Sequence, residues 1–286
     1  MATETVLRSS GVCTTILGVL NQFQAFTDLR YNALPATTLN AKYGVNYTDA
    51  PVTTPALKYF GIGTRGFQNI DQQQSAMPYP GDARCMDLYS PLPFRCIPVE
   101  EEHRLSETER GKYRMRVVQT INGQQYACYY LKLIDFATDA VEIIKKDADG
   151  HETPFIMDAD SWLRPNPPSL MQTGGAIDAN TNRIIVRATG VCRVTHEEIM
   201  EAVSVIHNGD SNFARISELG YYTGCDTPEC SFISGGVTVN YTEAEFVQLA
   251  KMHCFRGSEL FTPGSYIEPT VSLESECCIN GSLSNA

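Results

Sequence analysis

An Asn-Gly turn signal in the middle of the chain constrains the fold most strongly. Asn122-Gly123 separates two strand-like runs, Tyr113–Thr120 and Gln125–Ile134, which are rich in β-branched and aromatic residues. Asparagine and glycine tolerate the positive φ angles of a two-residue turn, so this dipeptide between such runs is the strongest short-range hairpin signal. The sequence therefore predicts an antiparallel hairpin at the centre of the chain.

Further strand-like runs surround this hairpin. Ala140–Lys145 and Thr153–Met157, on either side of the Asp149-Gly150 turn, indicate a second hairpin. Together the two hairpins predict an antiparallel meander. Three more strands are expected, at Leu57–Ile62, around Arg183–Arg187 within Asn180–Val194, and at Ile216–Tyr222.

Three helices are predicted around these strands. Ser9–Phe26 repeats apolar residues at the spacing of one helix face. Thr195–Glu198 and Thr242–Glu245 both match the capping-box pattern that opens a helix, and the first of these helices is expected to end near Asn208. The expected fold class is α+β, with a central antiparallel β-meander or sandwich, peripheral helices and long extended arms.

Several long segments have no clear helical or strand pattern. They are Thr27–Pro55, Gln68–Pro93 and the part of the chain after Phe261. Such segments would argue against the assignment in a compact monomer, but in an assembly subunit they can become ordered against neighbouring chains.

The sequence suggests three consecutive parts, or one continuous domain made from all of them. Residues 1–100 hold the N-terminal helix, an extended arm and a Gly-rich strand segment. Residues 101–194 hold the antiparallel β core. Residues 195–286 form an α+β part with a Cys-rich tail.

The charge balance limits the partners that the chain can bind. It has 22 Lys+Arg against 33 Asp+Glu, a net charge of −11, whereas a nucleic-acid groove needs clustered basic residues. The acidic charge is expected to keep the free chain soluble. No window approaches about 18 consecutive apolar residues, and the N-terminus lacks a signal-peptide pattern, so we expect synthesis in a reducing cytoplasm and no membrane partner.

A glycine-rich segment matches a dinucleotide-binding pattern in its letters only. Gly61, Gly63 and Gly66 have the G-x-G-x-x-G spacing and follow an apolar run. In a dinucleotide site the last glycine opens a helix whose N-terminus holds the pyrophosphate. Because no helical pattern follows Gly66, a glycine-rich turn is the favoured interpretation and a nucleotide site the alternative.

The cysteines allow three interpretations. Cys225 and Cys230 have C-x₄-C spacing, and His253-Cys254 and Cys277-Cys278 follow downstream. A zinc site usually has tighter pairs than these, so buried thiols come first, a disulfide second and a metal third. We expect no metal and no cofactor.

No catalytic arrangement stands out. The five histidines lack a nucleophile motif, and neither G-x-S-x-G nor H-E-x-x-H occurs. We therefore expect no enzymatic activity. The tyrosines of the central hairpin could stack on single-stranded nucleic acid, but packing across a sheet is favoured because the chain is acidic.

Two stretches together resemble virion proteins of tailed bacteriophages. They are Lys58–Arg65 (KYFGIGTR) and Ile216–Gly224 (ISELGYYTG), similar to strands of baseplate, fibre-attachment and neck components. Met86–Arg95 and Tyr113–Ile134 also resemble an uncharacterised phage structural family of similar length. The layout resembles the wedge proteins of contractile-tail baseplates. The resemblance implies no catalytic residues.

This resemblance implies a structural subunit of the tail or baseplate that binds copies of itself and other virion proteins. A neck or collar protein is the first alternative. A soluble enzyme using the Gly-rich loop or a cysteine is the second, and a nucleic-acid-binding virion protein is a further rival. The expected location is the virion, after synthesis in the host cytoplasm.

Ten cysteines are many for a protein made in a reducing compartment. Cys13, Cys128, Cys192 and Cys254 are predicted to be core thiols. The other six are expected in loops, arms or the tail, where they would contact a neighbouring subunit. Some of these six are predicted to form disulfides in the mature particle, and in one version these disulfides join different chains. These candidates are Cys85, Cys96, Cys225, Cys230, Cys277 and Cys278.

Overall fold

A computed structural model describes most of the chain as antiparallel β-sheet with a few short helices. The described residues are 12–18, 35–51, 53–69, 76–79, 82–147, 149–156, 183–210, 213–259 and 262–278. This confirms the predicted β-rich α+β class. The chain divides into two compact units, of which one comprises residues 1–134 and 192–269 and the other residues 135–191 and 270–286.

The described residues contain sixteen strands. In chain order they are β1 (Val12–Thr14), β2 (Ala56–Gly63), β3 (Phe67–Asn69), β4 (Ala76–Pro78), β5 (Pro91–Leu92), β6 (Arg95–Pro98), β7 (Tyr113–Ile121), β8 (Gln124–Leu133), β9 (Asp135–Lys146), β10 (Glu152–Pro154), β11 (Arg183–Val191), β12 (Val194–Thr195), β13 (Arg215–Ser234), β14 (Val237–Glu259), β15 (Tyr266–Ile267) and β16 (Thr270–Cys278).

The helices are α1 (Leu39–Tyr43), α2 (Glu107–Arg110) and α3 (His196–Ile206), with 3-10 turns at Pro35–Thr37 and Val99–Arg104. The α3 helix opens with the predicted capping box. The Thr195 side chain accepts a hydrogen bond from the Glu198 amide, and the Glu198 carboxylate accepts one from the Thr195 amide.

An eight-stranded sheet forms the first unit. Its path runs β1-β14-β13-β2-β8-β6, with β5 paired to β2 and β7 paired to β8. The predicted central hairpin is β7–β8, and its turn residues Asn122 and Gly123 have φ values of 51° and 85°. The segment Ile216–Gly224 lies in β13 and most of Lys58–Arg65 lies in β2, and these two strands are hydrogen-bonded neighbours.

A glycine pair explains how the middle of this sheet packs. Gly61 of β2 lies opposite Gly220 of β13. A Cβ atom on Gly220 would come within 2.7–2.9 Å of the Tyr222 ring, and one on Gly61 within 3.1 Å. Larger residues would therefore displace Tyr222, which is only 1% exposed. Its hydroxyl donates to the Asp87 carboxylate at 2.9 Å.

The second unit contains a four-stranded antiparallel sheet with the order β10-β9-β11-β16. It includes the predicted second hairpin, β9–β10. Arg187 of β11 lies at its centre and donates to Glu152 of β10 and Glu274 of β16. Ile144 and Ile185 are buried in register between β9 and β11.

Three sequence-based expectations are wrong. Thr242–Glu245 does not begin a helix, because it lies inside β14, which pairs with β13 along most of its length. The expected N-terminal helix is wrong at Val12–Thr14, which is a strand, whereas residues 16–18 are helical and most of the expected helix lies outside the described residues. In the segment after Phe261, the described residues 262–278 are not an unstructured tail, since β16 pairs with the whole of β11.

The three-part division also differs from the observed units. The eight-stranded sheet takes strands from all three expected parts, since β2 pairs with both β13 and β8. The two predicted hairpins of the meander lie in separate sheets. Long-range pairing, rather than chain order, sets the boundaries.

Replacing Glu102 with alanine is expected to lower the free energy of unfolding by about 3–5 kcal/mol. Glu102 is fully buried and accepts two hydrogen bonds from Arg116 and one from the Tyr129 hydroxyl, so the change leaves a buried cation unpaired. Urea-induced unfolding measures the difference.

The adjacent Glu101 is the matched control, because its side chain is 53% exposed in a surface pair with Arg104. Glu101→Ala should change the free energy of unfolding by no more than about 0.5 kcal/mol. Equal effects of the two substitutions would contradict the structural role of Glu102.

Candidate assembly interface

The turn between β13 and β14 is the tip of the longest hairpin. Gly235 and Gly236 form this turn with φ values of 54° and 79°, and Ser234 pairs with Val237 beside it. Two consecutive residues at positive φ are typical of a tight hairpin turn, which explains why both are glycines.

The tip is fixed to the 3-10 turn Val99–Arg104. The Ser234 hydroxyl donates to the Val99 carbonyl at 2.6 Å, and the His103 amide donates to the Ser234 hydroxyl at 2.9 Å. Nearby, the Arg116 guanidinium lies 4.1 Å from the centre of the Phe232 ring. The tip is therefore held in place rather than projecting freely.

A groove of about 480 Å³ lies between the start of β14 and the segment that contains α2. Val237, at its edge, is 53% exposed. We call this the tip groove and define it by its lining residues, which are His103, Leu105, Ser106, Glu107, Arg110 and Val237–Asn240. The Ser106 side chain caps α2 by accepting from the Glu109 amide, so this wall of the groove has a defined conformation.

Arg110 is the unusual residue of the tip groove. It is only 8% exposed, yet it makes no ion pair with any residue that the structure describes. One guanidinium nitrogen donates to the Leu105 carbonyl, while the buried Nε has no acceptor. The guanidinium also lies 6.0 Å from the centre of the Phe232 ring, but no carboxylate of the described residues pairs with it. Because a buried arginine without a counter-ion is costly, we call this side chain an uncompensated cation.

Neighbouring arginines show the contrast. The Arg116 guanidinium pairs with Glu102 through two hydrogen bonds, and Arg114 donates to Asp226 at 2.8 Å. Both are therefore neutralised inside the unit. Of these three arginines, only Arg110 has no carboxylate partner among the described residues.

A second cavity, also of about 480 Å³, is lined by more charged side chains than the tip groove. Its lining includes four basic side chains, and each has a carboxylate partner. The pairs are Arg95–Glu201, Lys112–Glu109, Lys132–Glu198 and Arg193–Glu268. This cavity is internally neutralised, so the tip groove is the better candidate for a charged partner.

The cysteine positions correct most of the sequence-based expectation. Cys85 does lie outside the strands and is half-buried. Cys96 lies in β6, Cys225 and Cys230 in β13, and Cys277 and Cys278 in β16, so these five are not in loops or a tail. Their surroundings were missed because the pairing partners of these strands are distant in sequence. Whether any of the six form disulfides between chains stays a prediction.

Two of the predicted core thiols are also placed differently. Cys13 lies in β1 and Cys254 in β14, rather than on helix faces. Cys254 is nonetheless buried, as are Cys128 and Cys192. For Cys192, burial raises the pKa of the thiol above its usual range.

The glycine-rich segment is followed by a strand. Gly61 and Gly63 lie within β2, and β3 begins directly after Gly66. The Gly66 amide donates to the Ser217 hydroxyl at 2.8 Å, and a Cβ atom there would collide with the Ser217 carbonyl. These glycines permit close packing of a turn against β13, which supports the glycine-rich-turn interpretation.

Metal-capable side chains meet at the β9–β10 turn. Asp147, Asp149 and His151 place their ligand atoms within 4.8 Å of one another. Asp147 is half-buried, whereas Asp149 and His151 are exposed. The Asp147 carboxylate oxygen Oδ2 lies 3.3 Å from His151 Nδ1. Neither Cys225 nor Cys230 belongs to it.

Two parts of the tip groove have local sequence signals, although the expected functional residues did not include them. Gly235-Gly236 between two β-rich runs is a hairpin signal of the same kind as Asn122-Gly123. Ser106 and Glu109 have capping-box spacing. The isolation of Arg110, in contrast, depends on tertiary contacts and has no local signal.

The chain belongs to the family of unknown function DUF7208, whose model matches residues 1–259. No curated protein matches the chain. No solved structure matches it either. Within the described residues, every helix is too short or too polar to cross a membrane.

Arg110→Met is expected to change the free energy of unfolding by less than about 1 kcal/mol. Methionine keeps much of the aliphatic volume and removes both one hydrogen bond and one uncompensated charge. Chemical unfolding of the purified chain measures the change.

Arg116→Met is the matched comparison, because it makes the same chemical change at an arginine that is paired. It should cost about 3–5 kcal/mol, since Glu102 would remain buried without its cation. Similar losses in both variants would show that Arg110 is compensated within the chain.

Proposed function

We propose that this DUF7208 protein is a structural subunit of a tailed-bacteriophage particle, a wedge-like component of the tail or baseplate. It assembles through contacts with copies of itself and with other virion proteins, has no enzymatic activity and uses no cofactor. It is made in the host cytoplasm and becomes part of the virion. The resemblance of Lys58–Arg65 and Ile216–Gly224 to virion proteins supports this class, and the two segments are neighbours in one sheet.

The uncompensated charge of Arg110 is the observation that supports a binding role most directly. A buried guanidinium without a carboxylate destabilises the isolated chain, and a partner that supplies the carboxylate removes this cost. Such an arrangement favours the assembled state over the free subunit.

The shape and chemistry of the tip groove suit a protein side chain. Arg110 offers a cation, Val237 and Leu105 offer apolar side chains, and Thr238 and Asn240 offer polar groups. Interfaces commonly combine an arginine anchor with apolar contact and a polar edge. We therefore propose that a neighbouring subunit inserts an Asp or Glu side chain into the tip groove.

Arg110→Met is expected to reduce incorporation of the chain into particles by about tenfold or more, because truncating one member of a buried interfacial charge pair costs at least about 2 kcal/mol. The measurement is the ratio of this chain to the major capsid protein in purified particles, when the variant replaces the natural chain in infected cells.

Arg104→Met is the control for assembly. Arg104 lies in the same segment, but its side chain is 69% exposed and pairs with Glu101 on the surface. This variant should enter particles like the unchanged chain. Equal incorporation of both variants would remove the tip groove from the proposed interface.

Particle fractionation tests the proposed location. In particles separated into heads with necks and detached tails, a baseplate subunit should be found with the tails, at a fixed ratio to tail proteins. Recovery with the head and neck fraction would instead favour the neck or collar alternative. Absence of the chain from intact particles would overturn the proposal as a whole.

A further inference from the structure

Two buried cysteines face each other inside the eight-stranded sheet. Cys96 of β6 lies directly opposite Cys128 of β8 in the antiparallel register. Their sulfur atoms are 2.9 Å apart, and the residues are 2% and 0% exposed. Both belong to the core of the first unit.

The backbone geometry at this pair suits a covalent bond. The Cys96 amide donates to the Glu201 carboxylate at 2.8 Å instead of to β8. The pair is therefore a non-hydrogen-bonded one, in which Cα atoms lie about 4.5 Å apart and side chains approach most closely. A disulfide requires a Cα separation of about 4.4–6.8 Å, so this pair can be bridged without moving the strands.

Glu201 also holds β6 in its register. Besides the Cys96 amide, its carboxylate accepts from the Arg95 guanidinium at 3.0–3.1 Å. On the other side, β8 is paired with β7, where Val117 lies opposite Cys128. Both strands are thus fixed by contacts that do not involve the sulfur atoms.

We propose that Cys96 and Cys128 form a disulfide within one chain that joins β6 to β8. The oxidant is a low-molecular-weight disulfide of the glutathione type. One cysteine thiolate displaces a thiol from the oxidant and forms a mixed disulfide. The second cysteine thiolate then displaces the remaining thiol, so two electrons and two protons leave as two free thiols of the reduced oxidant.

The bond forms before β6 has packed onto β8. The hydrogen bond with Cys128 and, after it, burial raise the pKa of the Cys96 thiol far above its usual range, so the folded chain holds little thiolate there. During folding the same thiols are exposed. The disulfide forms only where the unfolded or locally opened chain meets an oxidising mixture, and this proposal does not depend on the proposed function.

The test is refolding of the full chain from reductant and denaturant in a mixture of glutathione and glutathione disulfide. Free thiols are then alkylated and the chain is digested with trypsin. The expected product is a cross-link between peptides Cys96–Arg104 and Val117–Lys132, each of which contains a single cysteine.

Thermal unfolding gives the second readout. The enclosed loop of the cross-linked chain should raise its Tm by about 5 °C or more relative to the reduced chain. In Cys96→Ala and Cys128→Ala, this difference between oxidised and reduced samples should disappear. Comparing the Tm of the oxidised and reduced samples within each variant separates the effect of the disulfide from any loss of stability that the substitution itself causes.

Cys192→Ala is the matched control, since Cys192 is equally buried but lies in another part of the unit. It should keep both the cross-linked peptides and the redox-dependent Tm. Quantitative alkylation of Cys96 and Cys128 after oxidative refolding would overturn the proposal, as would cross-links that join either residue to a different cysteine.

Discussion

Carboxylates buried together with their hydrogen-bond donors hold the eight-stranded sheet in one arrangement. The Glu102 carboxylate accepts hydrogen bonds from the Arg116 guanidinium and from the Tyr129 hydroxyl, so both buried donors have an anionic acceptor. Asp226 does the same for Arg114 and the Tyr59 hydroxyl. Tyrosines can fill the core of this sheet because each of these hydroxyls has an anionic acceptor.

Two further carboxylates serve backbone amides rather than side chains. Glu218 accepts from the amides of Arg65, Tyr89 and Ser90, and Glu243 from those of Met115, Arg116 and Ala244. Met115 has a φ of 56°, so the strand departs from regular pairing where Glu243 binds it. Burial raises the pKa of both carboxyl groups, while the amide bonds act against that rise. Each irregular segment thus obtains its acceptors from a distant strand.

This dependence on distant partners explains which parts of the fold the sequence could predict. The turn at Asn122-Gly123 and the capping box of α3 are local features, and both were predicted correctly. β14 was not, because Thr242–Glu245 matches a capping box and is followed by a mainly apolar run with the apolar residues Phe246, Val247, Leu249, Ala250 and Cys254. Such a run is equally typical of a buried helix and of a strand buried on both faces. This segment is a strand because it pairs with β13, which precedes it across the Gly235-Gly236 turn.

The candidate interface is also hard to predict from sequence, because it depends on contacts between residues that are distant in the chain. Arg110 is an example. Its helix and its capping residue have local signals, but a missing counter-ion can be recognised only when all neighbours are known. Arg114 and Arg116 are paired with buried or half-buried carboxylates. In a unit that neutralises such charges so consistently, an unpaired one is a local inconsistency, and inconsistencies of this kind concentrate at functional sites. Within the described residues the Arg110 guanidinium donates to the Leu105 carbonyl and lies 6.0 Å from the centre of the Phe232 ring, but no carboxylate pairs with it. An arginine that is buried without a counter-ion is thus the feature on which the proposed interface rests.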